Sequence, residues 1–387
     1  MNSTLSVIRE FKKDNPNTPL PIAVSNNICV KDMCTTASSM ILENFIPPYD
    51  ATVIEKLKSQ GFTNPMYVNF SLDEFGIGNY LECAEHVMNC NYKLAKECGI
   101  SNSSIAVWLM GAIASDSGGA VRVSAAKHGL TGLLPTYGRV SRYGLIAFAS
   151  SMEQIGVIAH NAEDCGIILN AIAGYDPADG TSAKVDVPDF TSKIGLDIKG
   201  LKIGYFNIDC VSVLNTAQEL ERMGTELVKC DLPNTRTFSR AVHLILSSAE
   251  AASNLSRYDG IKFGHRASEY GDWKELIINS RTEGFGEEVM TRIMFGNYVL
   301  SKDNYDAYYK KALAVRQLIK DEFTEAFKTC DVIITPTSVS PEIANLAGLP
   351  AISIPLGQGT ALTIIGKPFE EATIIGVADA FEKRRCE

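Results

Sequence analysis

The 387-residue chain contains no apolar run approaching the eighteen or so residues of a membrane-spanning helix. Its opening, MNSTLSVIREFKKDNPNTPLP, lacks the apolar centre of a secretion signal and reads as a short helix followed by a loop. Ten cysteines stand at 29, 34, 83, 90, 98, 165, 210, 230, 330 and 386, and none form a C-x-x-C pair. That argues against zinc ribbons and dithiol redox motifs, and no metal site is expected. With no export signal, the thiols read as reduced, in the core or incidental, in a cytoplasmic (or organelle-matrix) protein. Basic residues are outnumbered, 36 Lys plus Arg against 45 Asp plus Glu, giving a net charge of −9. Such a chain is a poor general binder of nucleic-acid phosphates, so any RNA link is expected to run through a partner. No internal repeat or low-complexity segment breaks the chain.

What remains is an ordinary globular composition, 45% hydrophobic and 21% charged. The length allows two or three domains or one large α/β unit, and it supplies a sizeable core. Short apolar runs at 20–24, 66–70, 112–114 and 331–337 read as buried strands. Between them lie helical segments. One starts at Asp50 as N-cap and stops at Gly61; another starts at an Asn161 cap and stops before Gly174. Residues 217–223 and 226–228 form a helix-turn-strand unit, and 239–329 is mostly helical. This alternation favours a three-layer α/β/α arrangement around a mixed sheet.

One stretch organises the rest: GAIASDSGGAVRVSAAKHGLTGLLPTYGRVSRYGLIAFASSMEQI, residues 111–155. A buried strand runs into Gly118-Gly119, and helical character begins at Ala120. A turn of this kind presents backbone N–H groups at a helix N-terminus, where developing negative charge is stabilised. Taken alone, two glycines would do no more than let a strand turn into a helix.

The text around them is longer than that. Asp116-Ser117-Gly118-Gly119-Ala120-Val121-Arg122 and the run from Gly129 to Gly144 resemble the amidase signature family. Within it, the likeness is to the A subunits of glutamyl-tRNA(Gln)/aspartyl-tRNA(Asn) amidotransferases, carried also by 247–260, 283–296 and 305–312. The resemblance covers nearly the whole chain. It implies a single amidase-signature-like domain over 1–387, with a helical insertion at roughly 239–329 and a mostly parallel mixed central sheet. It also implies B- and C-type partner subunits, glutamine as a possible ligand, and tRNA reached only indirectly. No cofactor is expected on this chain; ATP and Mg would belong to a partner subunit.

The family's chemistry is a Lys base, a bridging Ser and a nucleophilic Ser, a variant of triad logic. Its turn reads D-T-G-G-S-I-R with the final Ser as nucleophile, and here that position is Ala120. The catalytic Lys of I-K-D-N-I-C-T-K is replaced by Ser25, and Lys31 matches the family's second, non-catalytic Lys. Six extended residues span roughly 20 Å, about three times the reach of a Lys side chain, so Lys31 is expected at the surface. The bridging Ser falls on Ile100 when anchored on Gly99, or on Ser101 with a one-residue slip; Ser101 or Asn102 could equally cap a helix. The oxyanion hole would be the backbone of Ser117, Gly118 and Gly119. Arg292 matches an Arg that grips the glutamine carboxylate, though a helix-surface ion pair is an equal reading. The acidic loop whose Asp helps hold the glutamine amine is missing between Ser340 and Asn345.

These losses imply a non-hydrolytic pseudo-amidase with a scaffold or ligand-binding role. An active glutamine-hydrolysing protein of this kind would need a relocated nucleophile, for which Ser124, one helical turn from Ala120, is the candidate. A trimmed gene product without function is the third reading.

Overall fold

The computed structural model describes residues 22–62, 69–70, 72–78, 81, 84, 87, 110–206, 211–357 and 360–386. Ten strands form one sheet in the order β2-β1-β3-β5-β4-β9-β10-β8-β6-β7. They are β1 (Ala23–Ser25), β2 (Asn69–Phe70), β3 (Gly111–Asp116), β4 (Thr131–Leu134), β5 (Gln154–Ala159), β6 (Lys202–Tyr205), β7 (Glu226–Lys229), β8 (Val332–Pro336), β9 (Ala351–Gly357) and β10 (Thr360–Gly366). The mixed sheet has a definite division. Parallel pairing holds the two flanks, β2-β1-β3 and β8-β6-β7. The pairs between them are antiparallel.

Ten helices accompany the sheet among the described residues: α1 (Thr52–Ser59), α2 (Ala120–Lys127), α3 (Ala162–Ile172), α4 (Val211–Arg222), α5 (Pro233–Asn254), α6 (Trp273–Gly284), α7 (Glu287–Leu300), α8 (Tyr309–Ala326), α9 (Ile343–Ala347) and α10 (Glu371–Cys386). Helices α5 to α8 occupy the chain between β7 and β8. The alternation of side chains along the strands separates two cores. Val24, Ile113, Val157, Leu133 and Ile352 belong to the larger one. Ala23, Ala112, Ala114 and Ile158 face the other way, into a smaller cluster with Ala120, Val121 and Ala125 of α2. The small residues on that face let α2 lie close to the sheet. Gly132 and Gly156 complete the fit, because a Cβ on either would press on Val121 or Arg122.

Local chemistry sets most boundaries as the sequence predicts. Asn161 caps α3 by accepting from Asp164 N–H, and Gly61, at φ +80°, follows the end of α1. Asp50 is different. Its carboxylate accepts from Lys31 N–H at 2.9 Å and from Lys58 Nζ at 2.5 Å. With those oxygens engaged, α1 begins at Thr52 behind Ala51, which has no side-chain cap.

Candidate active site

Strand β3 is buried along its whole length and delivers Asp116 to the turn. Gly119 then adopts φ +105°, a left-handed conformation that glycine takes without strain, and α2 starts at Ala120. The turn is fixed from within. Asp116 Oδ1 accepts the Gly119 N–H at 2.5 Å, and Asp116 Oδ2 faces Arg122 Nε at 3.4 Å. Asn345 of α9 closes the knot. Its carboxamide oxygen accepts from Arg122 Nη2 at 2.6 Å, and its NH2 donates to Asp116 O, Asp116 Oδ1 and Met152 O. Asp116, Arg122 and Asn345 are all essentially removed from solvent. A buried Arg–Asp pair is costly unless its remaining polar atoms find partners, and Asn345 supplies hydrogen bonds to both members.

Of the three amides expected to form an oxyanion hole, the Gly119 N–H donates to Asp116 Oδ1 within the turn. Ser117 and Gly118 keep N–H groups without a partner among the described residues.

The outer side of the turn is covered by residues that carry no signal in the sequence. His243, in the middle of α5, places Nε2 2.9 Å from Ser117 O. A bond to a carbonyl requires the proton on Nε2, so Nδ1 is the acceptor. Burial, with the Arg292 guanidinium adding to it, holds this imidazole below its ordinary pKa against the opposing pull of Ser117 O, Glu342 and Asp116. A Cβ on Gly118 would lie 2.8 Å from His243 Cε1 and Nε2, and one on Gly119 would lie 2.3 Å from Pro341 Cβ. Imidazole and proline therefore rest directly on the two glycines. Glu342, next in sequence, accepts from Ser239 Oγ of α5 at 2.7 Å and fixes that loop to the helix.

Ser25 comes to the right neighbourhood, because β1 runs parallel to β3 and both end at the same edge. Its hydroxyl is fully buried and donates to Asn27 Oδ1 at 2.8 Å; Asn27 Nδ2 in turn donates to Ser115 Oγ at 2.7 Å. A hydrogen-bonded Ser–Asn–Ser chain thus stands where a base is expected, and none of its members holds a proton-accepting amine. Ala120 is 2% exposed and packs in the smaller apolar cluster. Ser124 is 1% exposed, and its hydroxyl has no hydrogen-bond partner among the described residues. Nothing there activates it as a nucleophile. Lys31 is exposed, as expected. Ile100, Ser101 and Asn102 lie outside the described residues.

Arg292 lies on α7 with Nε 3.0 Å from Glu288 Oε1, so the ion-pair reading holds for that nitrogen. It is also near enough to His243 to act on its charge state. The start of α7 is tied to the N-terminal part of the chain through Glu74, which accepts from Ser39 Oγ and from Gly286 N–H. Gln154, paired in register with Asp116, is buried with both amide atoms unpartnered among the described residues. No group of His, Cys, Asp and Glu suited to a metal ion occurs among the described residues, and no helix among them is long and apolar enough to cross a membrane.

A strand ending in a glycine turn, a helix docked on the small-residue face of a mixed sheet, and the segment carrying Ser25 laid beside it define an amidase-type α/β architecture. The profile of the Amidase family matches residues 9–343, and the chain belongs to that family. The chain is 43% identical over 408 residues to the glutamyl-tRNA(Gln) amidotransferase A subunit of Caldanaerobacter subterraneus subsp. tengcongensis, an alignment covering 95% of this chain and 83% of the relative. It is also 43% identical over 406 residues to the protein of the same name from Persephonella marina, covering 94% and 83%. The crystal structure of the glutamyl-tRNA(Gln) amidotransferase A subunit from Thermotoga maritima superposes with a TM-score of 0.73 at 31% identity, covering 94% of this chain and 83% of that one.

Proposed function

We propose that this chain is a non-hydrolytic relative of the amidotransferase A subunit, keeping a scaffold or ligand-binding role in tRNA-dependent amidation. Ala120 carries the reading. It heads α2 behind the glycine turn, where the family's nucleophile belongs, and a methyl group cannot attack a carbonyl. Loss of the nucleophilic Ser in a comparable triad costs on the order of 10⁶ in rate. Three further features support the same reading. Ser25 spends its proton on Asn27. The Gly119 N–H is held by Asp116. His243 and Pro341 crowd the turn. Ser124, buried and unpartnered among the described residues, lends no support to a relocated nucleophile.

On this reading, B- and C-type subunits are the partners, and ATP, Mg²⁺ and most tRNA contacts belong to them. Glutamine remains a ligand to test, with Arg292 as its carboxylate partner. The deciding assay is ammonia release from glutamine by the purified chain, with and without a B-type subunit, beside a pull-down with both partners. The expected result is association without ammonia above background. Hydrolysis abolished by Ser124→Ala would establish the relocated nucleophile instead, and hydrolysis surviving that change would move the nucleophile away from the Ala120 position altogether.

A further inference from the structure

A cleft of about 540 Å³ opens between α8 and the loops after β4 and β10, and it shares no lining residue with the glycine turn. Lys320 and Arg316 of α8 face it, with Thr136, Ser151, Tyr137 and Phe369 opposite. Only one of the two charges in it is offset: Glu250, which accepts from Ser151 N–H and Oγ, acts on Arg316, whereas Lys320 has no such partner among the described residues. Among the described residues Lys320 makes no ion pair, although its side chain is partly buried. The carboxylates nearest along α8 are engaged elsewhere. Asp321 accepts from Gln317, Glu322 accepts from Asn234 and Thr235, and Glu325 pairs with Lys328. Burial and the neighbouring Arg316 lower the Lys320 pKa, as expected of a cation held without a counter-ion.

We propose that this cleft binds the phosphate group of a small phosphorylated organic molecule, with the Lys320 ammonium as its counter-charge. The choice of phosphate follows from Arg316. All three guanidinium nitrogens are already used: Nε on Leu346 O at 2.8 Å, Nη1 on Ser151 Oγ and Nη2 on Ser151 O, both at 2.7 Å. Three of its five N–H donors are thereby spent on the protein itself, which leaves Arg316 poorly placed to clasp a planar carboxylate. Lysine is a point charge that suits a tetrahedral oxyanion. Thr136 Oγ1 accepts the Phe369 N–H at 2.8 Å and keeps its own proton for the ligand. The Tyr137 and Phe369 rings form an apolar wall for the organic portion, and the volume falls in the range of small-molecule sites.

The test is calorimetric titration of the full chain at fixed ionic strength with inorganic phosphate, phenyl phosphate and succinate. Saturable binding of both phosphates is expected, with phenyl phosphate tighter and succinate weaker. Lys320→Gln and Lys320→Met should each weaken phosphate binding roughly tenfold or more, the usual worth of a charged hydrogen bond. Lys328→Gln, at the exposed Lys328–Glu325 pair, should leave it unchanged. Absence of saturable binding, or equal affinity in folded Lys320 variants, overturns the site. Succinate binding as tightly as phosphate, or phenyl phosphate binding no better than inorganic phosphate, overturns the ligand assigned to it.

Discussion

His243 donates to the carbonyl oxygen of Ser117 across 2.9 Å and, through that bond, pins α5 to the glycine turn. The bond exists only with Nε2 protonated and is made by a neutral ring. The faces around the imidazole carry Glu342, Asp116 and Arg292, and burial outweighs the two carboxylates. Its folded pKa is therefore depressed relative to the unfolded chain. The unfolded state binds the extra proton first, so this contribution to stability is fully present above pH 6.5 and is lost as pH falls through the lower, folded value. Because Glu153 titrates in the opposite sense over the same range, the loss is read as a difference: in urea unfolding, the pH slopes of wild type and His243→Gln between about pH 7.5 and about pH 5 should differ by the His243 contribution. An unchanged pH slope in His243→Gln would remove His243 as the cause.

Glu153 titrates in the opposite sense. Burial raises its carboxyl to about 7, although Phe148 N–H and the Arg142 charge oppose the rise. A carboxyl raised above 4.5 binds more protons folded than unfolded, so stability falls as pH climbs from about 4.5 to about 7. Glu153→Gln should stabilise the protein by about 2–3 kcal/mol at about pH 8 and by little at about pH 5. Denaturant midpoints at the two pH values check this; equal gains at both would contradict it.

Asn345→Ala removes the group that hydrogen-bonds to both Arg122 and Asp116. Both charges stay buried. A cost of about 1.5–3 kcal/mol is expected, because the Arg122–Asp116 pair remains but loses hydrogen bonds to buried charged groups. Equilibrium unfolding measures it, and a loss under about 1 kcal/mol would mean that the knot is not held by Asn345.

Gly119→Ala meets two obstacles at once, φ +105° and Pro341 Cβ at 2.3 Å. Destabilisation of at least about 1–3 kcal/mol is expected. A melting temperature equal to wild type would show that the proline loop yields freely.

Reinstalling the family's side chains together (Ser25→Lys, Ile100→Ser, Ala120→Ser) should still leave glutamine hydrolysis slight. The Lys would enter a fully buried position beside Asn27, His243 and Pro341 would still crowd the turn, and the loop between Ser340 and Asn345 would still be short. Positioning alone is worth about 7–11 kcal/mol of such a barrier. Turnover in the triple variant near that of an active amidotransferase would show that these three side chains are sufficient.

The turn is legible in the sequence because its causes are local. Gly118-Gly119, the apolar strand before it and the helical run after it place β3 and α2 correctly. The residues that govern the turn are not legible, because they arrive from far away. Asn345 stands 229 residues from Asp116, and His243 stands 126 residues from Ser117. Nothing near either position announces the contact. The Gly119 N–H escapes for a related reason: a glycine turn is read as offering its amides, and only the rotamer of Asp116 decides that one is consumed.

The Asp116–Arg122–Asn345 knot also orders events during synthesis. Strand β3 and helix α2 leave the ribosome long before α9 exists, and until then two opposite charges must await the amide that completes them. The sheet has the same dependence, since β4 pairs with β9 through Gly132 and Ser353. Contacts of such sequence separation form late. A nascent chain stalled before residue 345 should therefore leave its glycine turn open to proteases and chaperones.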